Sequence, residues 1–293
     1  MKKVLFIVNP VAGKMKILKD LAEIDKAFYN GDCLCDIYLT KKRGDATEKV
    51  MESGKDYDII VCGGGDGTYN EMISGLLRAG LNTPVGYIPA GTTNDFASTL
   101  ELSQNPVTAA ANITAGSVRT LDVGRFGDSY FSYVASFGAF TSASYSTGQQ
   151  KKNLLGHSAY ILEGMSDLFP IKPYHLRVEA NGKVYEDDYL FGAVSNSTSI
   201  AGLIKLDAKL VNLSDGAFEI MLIKMPKLLL DVPKVLIALS NGDYSEDHIT
   251  FLHASSVKIK SKSKLDWSLD GEHAESRGEI TLENIHNAVN LII

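Results

Sequence analysis

Cysteine is scarce in this chain of 293 residues, with only Cys33, Cys35 and Cys62. Three cannot all pair within one molecule. Cys33-Leu34-Cys35 also lacks a second pair that would complete a zinc site, so neither a disulfide framework nor a zinc module is expected. Long apolar runs are missing too. Behind Met1-Lys2-Lys3, the run Val4-Leu5-Phe6-Ile7-Val8 is too short for a signal peptide. No segment reads as a transmembrane helix, because the uncharged stretch from Ser129 to Gln150 is rich in Ser, Gly and Thr. The expectation is a reducing, cytoplasmic setting, with membrane contact limited to the periphery. Nor is positive charge in excess. Lys plus Arg is 29 and Asp plus Glu is 35, a net charge of −6, which argues against nucleic acid as a partner. The six histidines show no metal-ligand spacing. Cys62 reads as a small core residue, and His273 as a histidine in a surface turn.

What is present suits a folded chain of two ordinary domains. Hydrophobic residues make up 45% and charged residues 22%. The first part alternates strand and helix patterns. Val4–Val8, Leu34–Leu39, Asp58–Cys62 and Val85–Ile88 read as strands. Ile17, Leu21, Ile24 and Phe28 recur at helical spacing and predict one amphipathic helix. Further helices are predicted from Asp45 to Ser53, around Met72, Ile73, Leu76 and Leu77, and from Asn94 or Asp95 onward. Such repeats predict a doubly wound parallel sheet in an α/β domain over residues 1–124. Residues 125–293 read as a second, mainly antiparallel β domain, with a C-terminal tail able to return to the first. Its clearest sign is a hairpin from Leu176 to Glu186 around Asn181-Gly182, a dipeptide suited to a type I′ turn. Other strands are predicted at Ser129–Ala135, Tyr189–Val194, Phe218–Lys224, Ile249–Leu252, Val257–Ser261 and Leu265–Leu269. Helices are expected near Leu154–Leu168 and Leu228–Ser240, the latter either kinked at Pro233 or holding it in its first turn. With no long linker between the domains, the cleft between them is the expected active site.

The most informative segment runs Cys62-Gly63-Gly64-Gly65-Asp66-Gly67-Thr68-Tyr69-Asn70-Glu71. A buried strand ends in glycines and a helix begins just beyond. Backbone N–H groups can then approach an anion, and the helix N-terminus adds partial positive charge. This is neither a P-loop nor the Gly-x-Gly-x-x-Gly dinucleotide pattern. The plainer reading is a tight turn in which Asp66 or Thr68 caps the helix. After the fourth strand, Gly91-Thr92-Thr93-Asn94-Asp95 offers donors and a carboxylate fit for a metal hydration shell, or a simple helix cap. After the first, Asn9-Pro10-Val11-Ala12-Gly13-Lys14 makes a third Gly-containing loop. Loops at neighbouring strand ends lie side by side in such a sheet. Ser195-Asn196-Ser197-Thr198-Ser199 lacks the Gly-x-Ser-x-Gly nucleophile pattern. Lys41-Lys42-Arg43 reads as a solvated loop within reach of a nucleotide phosphate. Leu228-Leu229-Leu230 and Val235 to Leu239 read as core rather than as a bilayer contact, for want of a cationic face.

These motifs, with Ser214-Asp215-Gly216 and Asp270-Gly271-Glu272 further on, occur in the order seen in the diacylglycerol kinase catalytic-domain family. The chain resembles the bacterial members of that family of lipid kinases over nearly its whole length. The resemblance implies ATP and Mg²⁺ as cofactors. It implies transfer of the γ-phosphoryl group to a lipid hydroxyl, with diacylglycerol giving phosphatidic acid as the first choice. Carried over, the ATP-binding residues are Asn9, Pro10, Val11, Ala12 and Gly13, then Thr40, then Gly64, Gly65, Asp66, Gly67, Thr68, Tyr69, Asn70 and Glu71, then Thr92 and Asp95. Asp66 and Asp95 would organise the catalytic Mg²⁺. A structural Mg²⁺ is implied at Asp215, with main-chain oxygens of Asn212 and Ala217. Glu272 is the first choice of general base, and Asp270 the second or its partner. On turn statistics alone, Asp270-Gly271-Glu272 is a type I turn with solvated acids. Partners would be a lipid at the membrane surface and a second copy of the chain. A kinase of NAD-kinase type, or a non-catalytic nucleotide- or lipid-binding module, is the alternative.

Overall fold

The computed structural model describes residues 1–138, 173–200, 204–226 and 231–293. The chain divides into two compact units. Unit 1 holds Met1–Val123, Leu213–Asp215 and Ile285–Ile293, and unit 2 holds Gly124–Asn212 and Gly216–Asn284.

Unit 1 contains β1 (Lys2–Val8), α1 (Lys16–Lys19), α2 (Leu21–Asn30), β2 (Cys33–Leu39), α3 (Asp45–Ser53), β3 (Ile59–Gly64), α4 (Asp66–Arg78), β4 (Val85–Pro89), α5 (Asp95–Thr99) and α6 (Pro106–Ala115). The strands run in the order β2-β1-β3-β4, and every neighbouring pair is parallel. The end of the last strand in the chain adds itself beside β4, Leu291 opposite Val85. Val4–Val8, β3 and β4 are buried along their whole length, as strands covered on both faces must be. The covering helices pack in pairs, α2 with α6 and α3 with α4. Ile24, Phe28, Ala110 and Ile113 close over Val4, Phe6 and Val61.

The stripe Ile17, Ile24 and Phe28 is fully buried, but the helix it predicted is broken at Asp20. Asp is a poor interior helix residue and suits a boundary, and α2 starts afresh there. Helix α6, not foreseen, is opened by Asn105, whose side chain accepts the Thr108 N–H, and by a proline in its first turn.

Unit 2 is built on antiparallel pairs. Its elements are the end of β5 (Val118–Phe126), β6 (Ser129–Phe131), β7 (Val134–Gly138), β8 (Tyr174–Ala180), β9 (Lys183–Ser195), β10 (Ser199–Ile200), β11 (Ile204–Lys205), β12 (Phe218–Lys224), α7 (Val232–Asn241), β13 (Ile249–Ala254), β14 (Ser256–Leu269) and most of β15 (Glu272–Ile292). The order is β13-β12-β9-β7-β14-β15. Strands β8 and β7 fill successive stretches of one lane between β9 and β14. The β8–β9 hairpin turns at Asn181 and Gly182, both at positive φ, as a type I′ turn requires. Trp267 forms the centre of the core, with Phe126 and Phe137 edge-on at 5.1 and 5.0 Å.

Two expectations change here, and one open alternative is resolved. Ser129–Ala135 splits into β6 and β7, because the intervening amides of Ser132 and Tyr133 donate to the Asp270 carboxylate instead of a ladder. Val257–Ser261 and Leu265–Leu269 join into one strand with a register irregularity between them. Pro233 sits in the first turn of α7, where its missing N–H costs nothing. The helix expected at Leu154–Leu168 lies outside the described residues, as does Leu228-Leu229-Leu230.

Asp122 secures the C-terminal return of unit 1. Its carboxylate is almost fully buried and accepts from the Asn287 N–H at 2.7 Å and from His286 Nδ1 at 3.0 Å, while its own N–H donates to the Leu213 carbonyl at 2.8 Å. Asp122→Ala is expected to lower stability by about 1 kcal/mol, since it removes a buried charged acceptor of the Asn287 amide and of His286. A urea titration checks this, and an unchanged midpoint would show that the tie carries no stability.

Candidate active site

Four loops leave the C-terminal ends of the unit 1 strands, and backbone bonds stitch them together. Asn9 N–H donates to the Gly63 carbonyl, Thr40 N–H to that of Val8, and Ala90 and Gly91 N–H both to that of Gly64. The Asn9 side chain donates to Thr68 Oγ1 at 3.2 Å and accepts from the Val11 N–H at 3.1 Å. Only glycine permits this closeness. A Cβ on Gly91 would lie 2.5 Å from the Gly65 Cα, and one on Gly13 would lie 2.0 Å from the Ala90 carbonyl oxygen. The loops after β1, β3 and β4 therefore meet backbone to backbone.

Helix α4 opens at this meeting point. Gly65 is its N-cap and has no side chain to offer, and no side-chain cap is seen among the described residues. The first amides of a helix lack intrahelical acceptors and carry the positive end of its dipole. An uncapped 13-residue helix that opens among glycines is a site for an anion, and phosphate suits it.

Asp66 does not cap its own helix. Its carboxylate reaches across and accepts from the amides of Asp95 at 2.9 Å and Phe96 at 3.3 Å, opening α5, and from the Tyr87 hydroxyl at 3.2 Å. Asn94, at φ 52, makes no side-chain cap for that helix. Burial pushes the Asp66 carboxyl up to about 6, and the charge of Asp95 adds to the rise, while the donated bonds oppose it. A buried carboxylate with a second carboxylate beside it creates a demand for a cation. Mg²⁺ fits this donor set, because it keeps several waters and takes one or two carboxylates beside nucleotide phosphates. Among the described residues, no group of three or more His, Cys, Asp or Glu side chains could hold a metal ion.

Glu71 also faces away from the glycine loops. Its carboxylate oxygens accept from the amides of Gly44 at 2.8 Å and Ala46 at 3.3 Å. Tyr69 is buried and packs at a tilt against Tyr87 and Phe96, so its ring belongs to the core beneath the loops. Thr92 is exposed in the loop after β4, and Asn70 is half-buried. The sequence reading missed Tyr87, whose only signal was an aromatic in a buried strand two residues before Pro89.

In unit 2, Asp270 and Gly271 form the turn between β14 and β15, both at positive φ. This is a type I′ hairpin rather than a type I turn, and Asp270 is not solvated. It is 5% exposed and accepts from the amides of Ser132, Tyr133 and Val134, the last two at 3.0 and 2.9 Å. Glu272, half-buried, begins β15. His273 is exposed and pairs with Asp266 at 3.2 Å. Ser195, Asn196 and Ser197 are wholly buried, and Ser195 Oγ donates to the Ser197 carbonyl. Asp215 and Asn212 are exposed and Ala217 is half-buried, Asp215 falling in unit 1 and the other two in unit 2.

Comparison with known proteins identifies relatives over nearly the whole chain. The diacylglycerol kinase catalytic domain family matches residues 3–126, and the YegS C-terminal NAD kinase beta sandwich-like domain matches residues 134–292. A diacylglycerol kinase of Bacillus subtilis is 32% identical over 275 residues, covering 93% of this chain and 90% of that protein. One from Staphylococcus epidermidis is 31% identical over 282 residues, covering 93% and 86%. A solved diacylglycerol kinase structure from Bacillus anthracis superposes with a TM-score of 0.77 at 25% identity, covering 99% of this chain and 96% of that one.

The raised Asp66 carboxyl makes stability depend on pH. The folded state holds that proton more tightly than the unfolded chain does. The contribution is therefore complete below the ordinary carboxylate range and is lost as pH climbs through about 6. Without Mg²⁺ or nucleotide, the stability advantage of wild type over Asp66→Asn should be larger at pH 5 than at pH 7, by about 1 kcal/mol. Urea unfolding at both pH values measures this, and a pH-independent difference would remove the claim.

Proposed function

The chain belongs to the diacylglycerol kinase family and is an ATP-dependent lipid kinase, and from that premise we propose that its acceptor is the free hydroxyl of diacylglycerol, giving phosphatidic acid. The observation that carries the nucleotide side is the uncapped start of α4 among Gly13, Gly65 and Gly91. What supports diacylglycerol is the name shared by relatives that match 93% of the chain.

In this reading the amides at the start of α4 and the loop glycines receive the phosphates of ATP. Asn9 and Thr68 brace the loop, and Thr40 and Thr92 flank it. Asp66 and Asp95 would hold the hydration shell of a Mg²⁺, which would neutralise charge on the transferring phosphates. The lipid hydroxyl oxygen bonds to the γ-phosphorus as the bond to the ADP leaving oxygen breaks. Its proton passes to Glu272.

Glu272 is preferred over Asp270 on geometry. A carboxylate that already accepts from three backbone amides holds its charge for the fold and is a weak base. Asp215, with oxygens of Asn212 and Ala217, is proposed as an auxiliary Mg²⁺ site, since oxygen donors suit that ion. No helix among the described residues is long and apolar enough to cross a membrane. Peripheral contact with a lipid surface from the cytoplasm is therefore proposed.

Radiolabelled ATP offered with diacylglycerol, phosphatidylglycerol, sphingosine and NAD should label diacylglycerol. Label on NAD and on no lipid would instead favour the NAD-kinase alternative. A second test separates the two acids. Glu272→Ala should lower kcat by about 10²–10⁴-fold with an unchanged melting temperature. Asp270→Ala should lower stability by about 3 kcal/mol or more, through three orphaned amides. A fully active Glu272→Ala protein would end the base assignment.

A further inference from the structure

The family resemblance places Glu71 among the residues that bind ATP, but its bonds assign it another task. Both carboxylate oxygens are directed at the start of α3, accepting from Gly44 N–H at 2.8 Å and Ala46 N–H at 3.3 Å. The Glu71 carbonyl also accepts from Thr47 Oγ1 at 2.7 Å. Gly44 is the N-cap of α3 at φ 82, and it has no side chain with which to serve those amides. A carboxylate at a helix N-terminus satisfies orphan donors and meets the positive end of the dipole. Here the cap comes from α4, 27 residues away in sequence.

The bonding continues past α3. Its first residue, Asp45, is 6% exposed and turns its carboxylate back into the preceding loop. Oδ2 accepts from the Lys41 N–H at 2.7 Å and Oδ1 from the Tyr38 hydroxyl at 3.0 Å. The Lys41 amide bond holds the Asp45 carboxyl below its ordinary range. At the other end of the loop, Thr40 N–H donates to the Val8 carbonyl at 2.9 Å. The loop Thr40–Arg43 is thus tied to β1 by its first residue and to α4 through Asp45 and Glu71. It presents Lys41, Lys42 and Arg43, all exposed, at the same strand ends as the glycine loops.

Resting on the kinase reading above, we infer that Glu71 is a positioning residue. It fixes the Thr40–Arg43 loop relative to the phosphate cradle and so sets the affinity for ATP without touching the nucleotide. Helix α4 would then organise the site at three points: its own N-terminus for phosphate, Asp66 for α5, and Glu71 for α3 and the basic loop.

The test uses the full chain with Glu71→Ala, Glu71→Gln, Asp45→Asn and the double variant Glu71→Ala/Asp45→Asn. In the ligand-free protein, hydrogen exchange at the amides of Gly44 and Ala46 should speed up in Glu71→Ala. Unchanged protection there would overturn the inference whatever the enzyme phosphorylates. With ATP varied at saturating lipid, KM for ATP should rise about tenfold while kcat stays within about twofold. A fall in kcat at unchanged KM would also overturn it. Glu71→Gln should recover part of the affinity, because its carbonyl oxygen still accepts from Gly44. That variant carries the test if Glu71→Ala does not fold. In the double variant, KM should match the worse single variant, since both act through one chain of bonds. Multiplied effects would mean that Glu71 meets ATP by a separate route. If ATP proves not to be the donor, the exchange result still stands and only the kinetic arm fails, so the two readings fail separately.

Discussion

The Asp66 carboxylate accepts from the amides that open α5, and this contact ties the loop after β3 to the helix after β4. It answers a constraint that any α/β unit meets at the carboxyl ends of its strands. Several helices start close together there, and each brings amides that need acceptors. Unit 1 meets the need unevenly. Helix α3 takes a carboxylate from Glu71, and α5 takes one from Asp66. Helix α4, which lends both, has no side-chain cap of its own. The helix start that opens among the glycines is the one the proposed reading assigns to phosphate.

A related arrangement organises unit 2. The turn after β14 directs Asp270 inward, where one carboxylate gathers three successive amides, those of Ser132 and Tyr133 between β6 and β7 and that of Val134 at the start of β7. Those amides cannot join a strand ladder at that point, so the single strand expected there becomes two. The cost of burying a charge is offset by donors placed around it. The neighbouring acid, Glu272, is held in register opposite Leu269 and keeps a half-exposed position. Two carboxylates two residues apart are thus set to different tasks by their surroundings.

Net charge describes such a site poorly. In the proposed reading, a chain of −6 would bind a polyanion through local fields, from helix amides, from a cation at Asp66 and Asp95, and from the loop of Lys41, Lys42 and Arg43. Asp66 shows the balance clearly. Without a cation its carboxyl is pushed up to about 6 by burial, so the fold alone holds it in a state that a bound metal would relieve.

The sequence by itself determined the buried strands of unit 1, the hairpin at Asn181-Gly182, the glycine loops and the family. Each depends on local chemistry, such as an apolar run, a dipeptide suited to positive φ, or glycines before a helix. It was silent on β15, whose 21 residues bury few side chains outright and so show weak alternation. It also left Asp66 and Asp270 with more than one task open, and it read Glu71 as an ATP-binding residue. Only the tertiary structure shows which donors these carboxylates serve, because their hydrogen-bond partners lie 21 to 138 residues away. A carboxylate is written the same way whether it will meet a nucleotide, a metal or a helix start. Which of these it serves is settled by the backbone amides that the fold brings beside it.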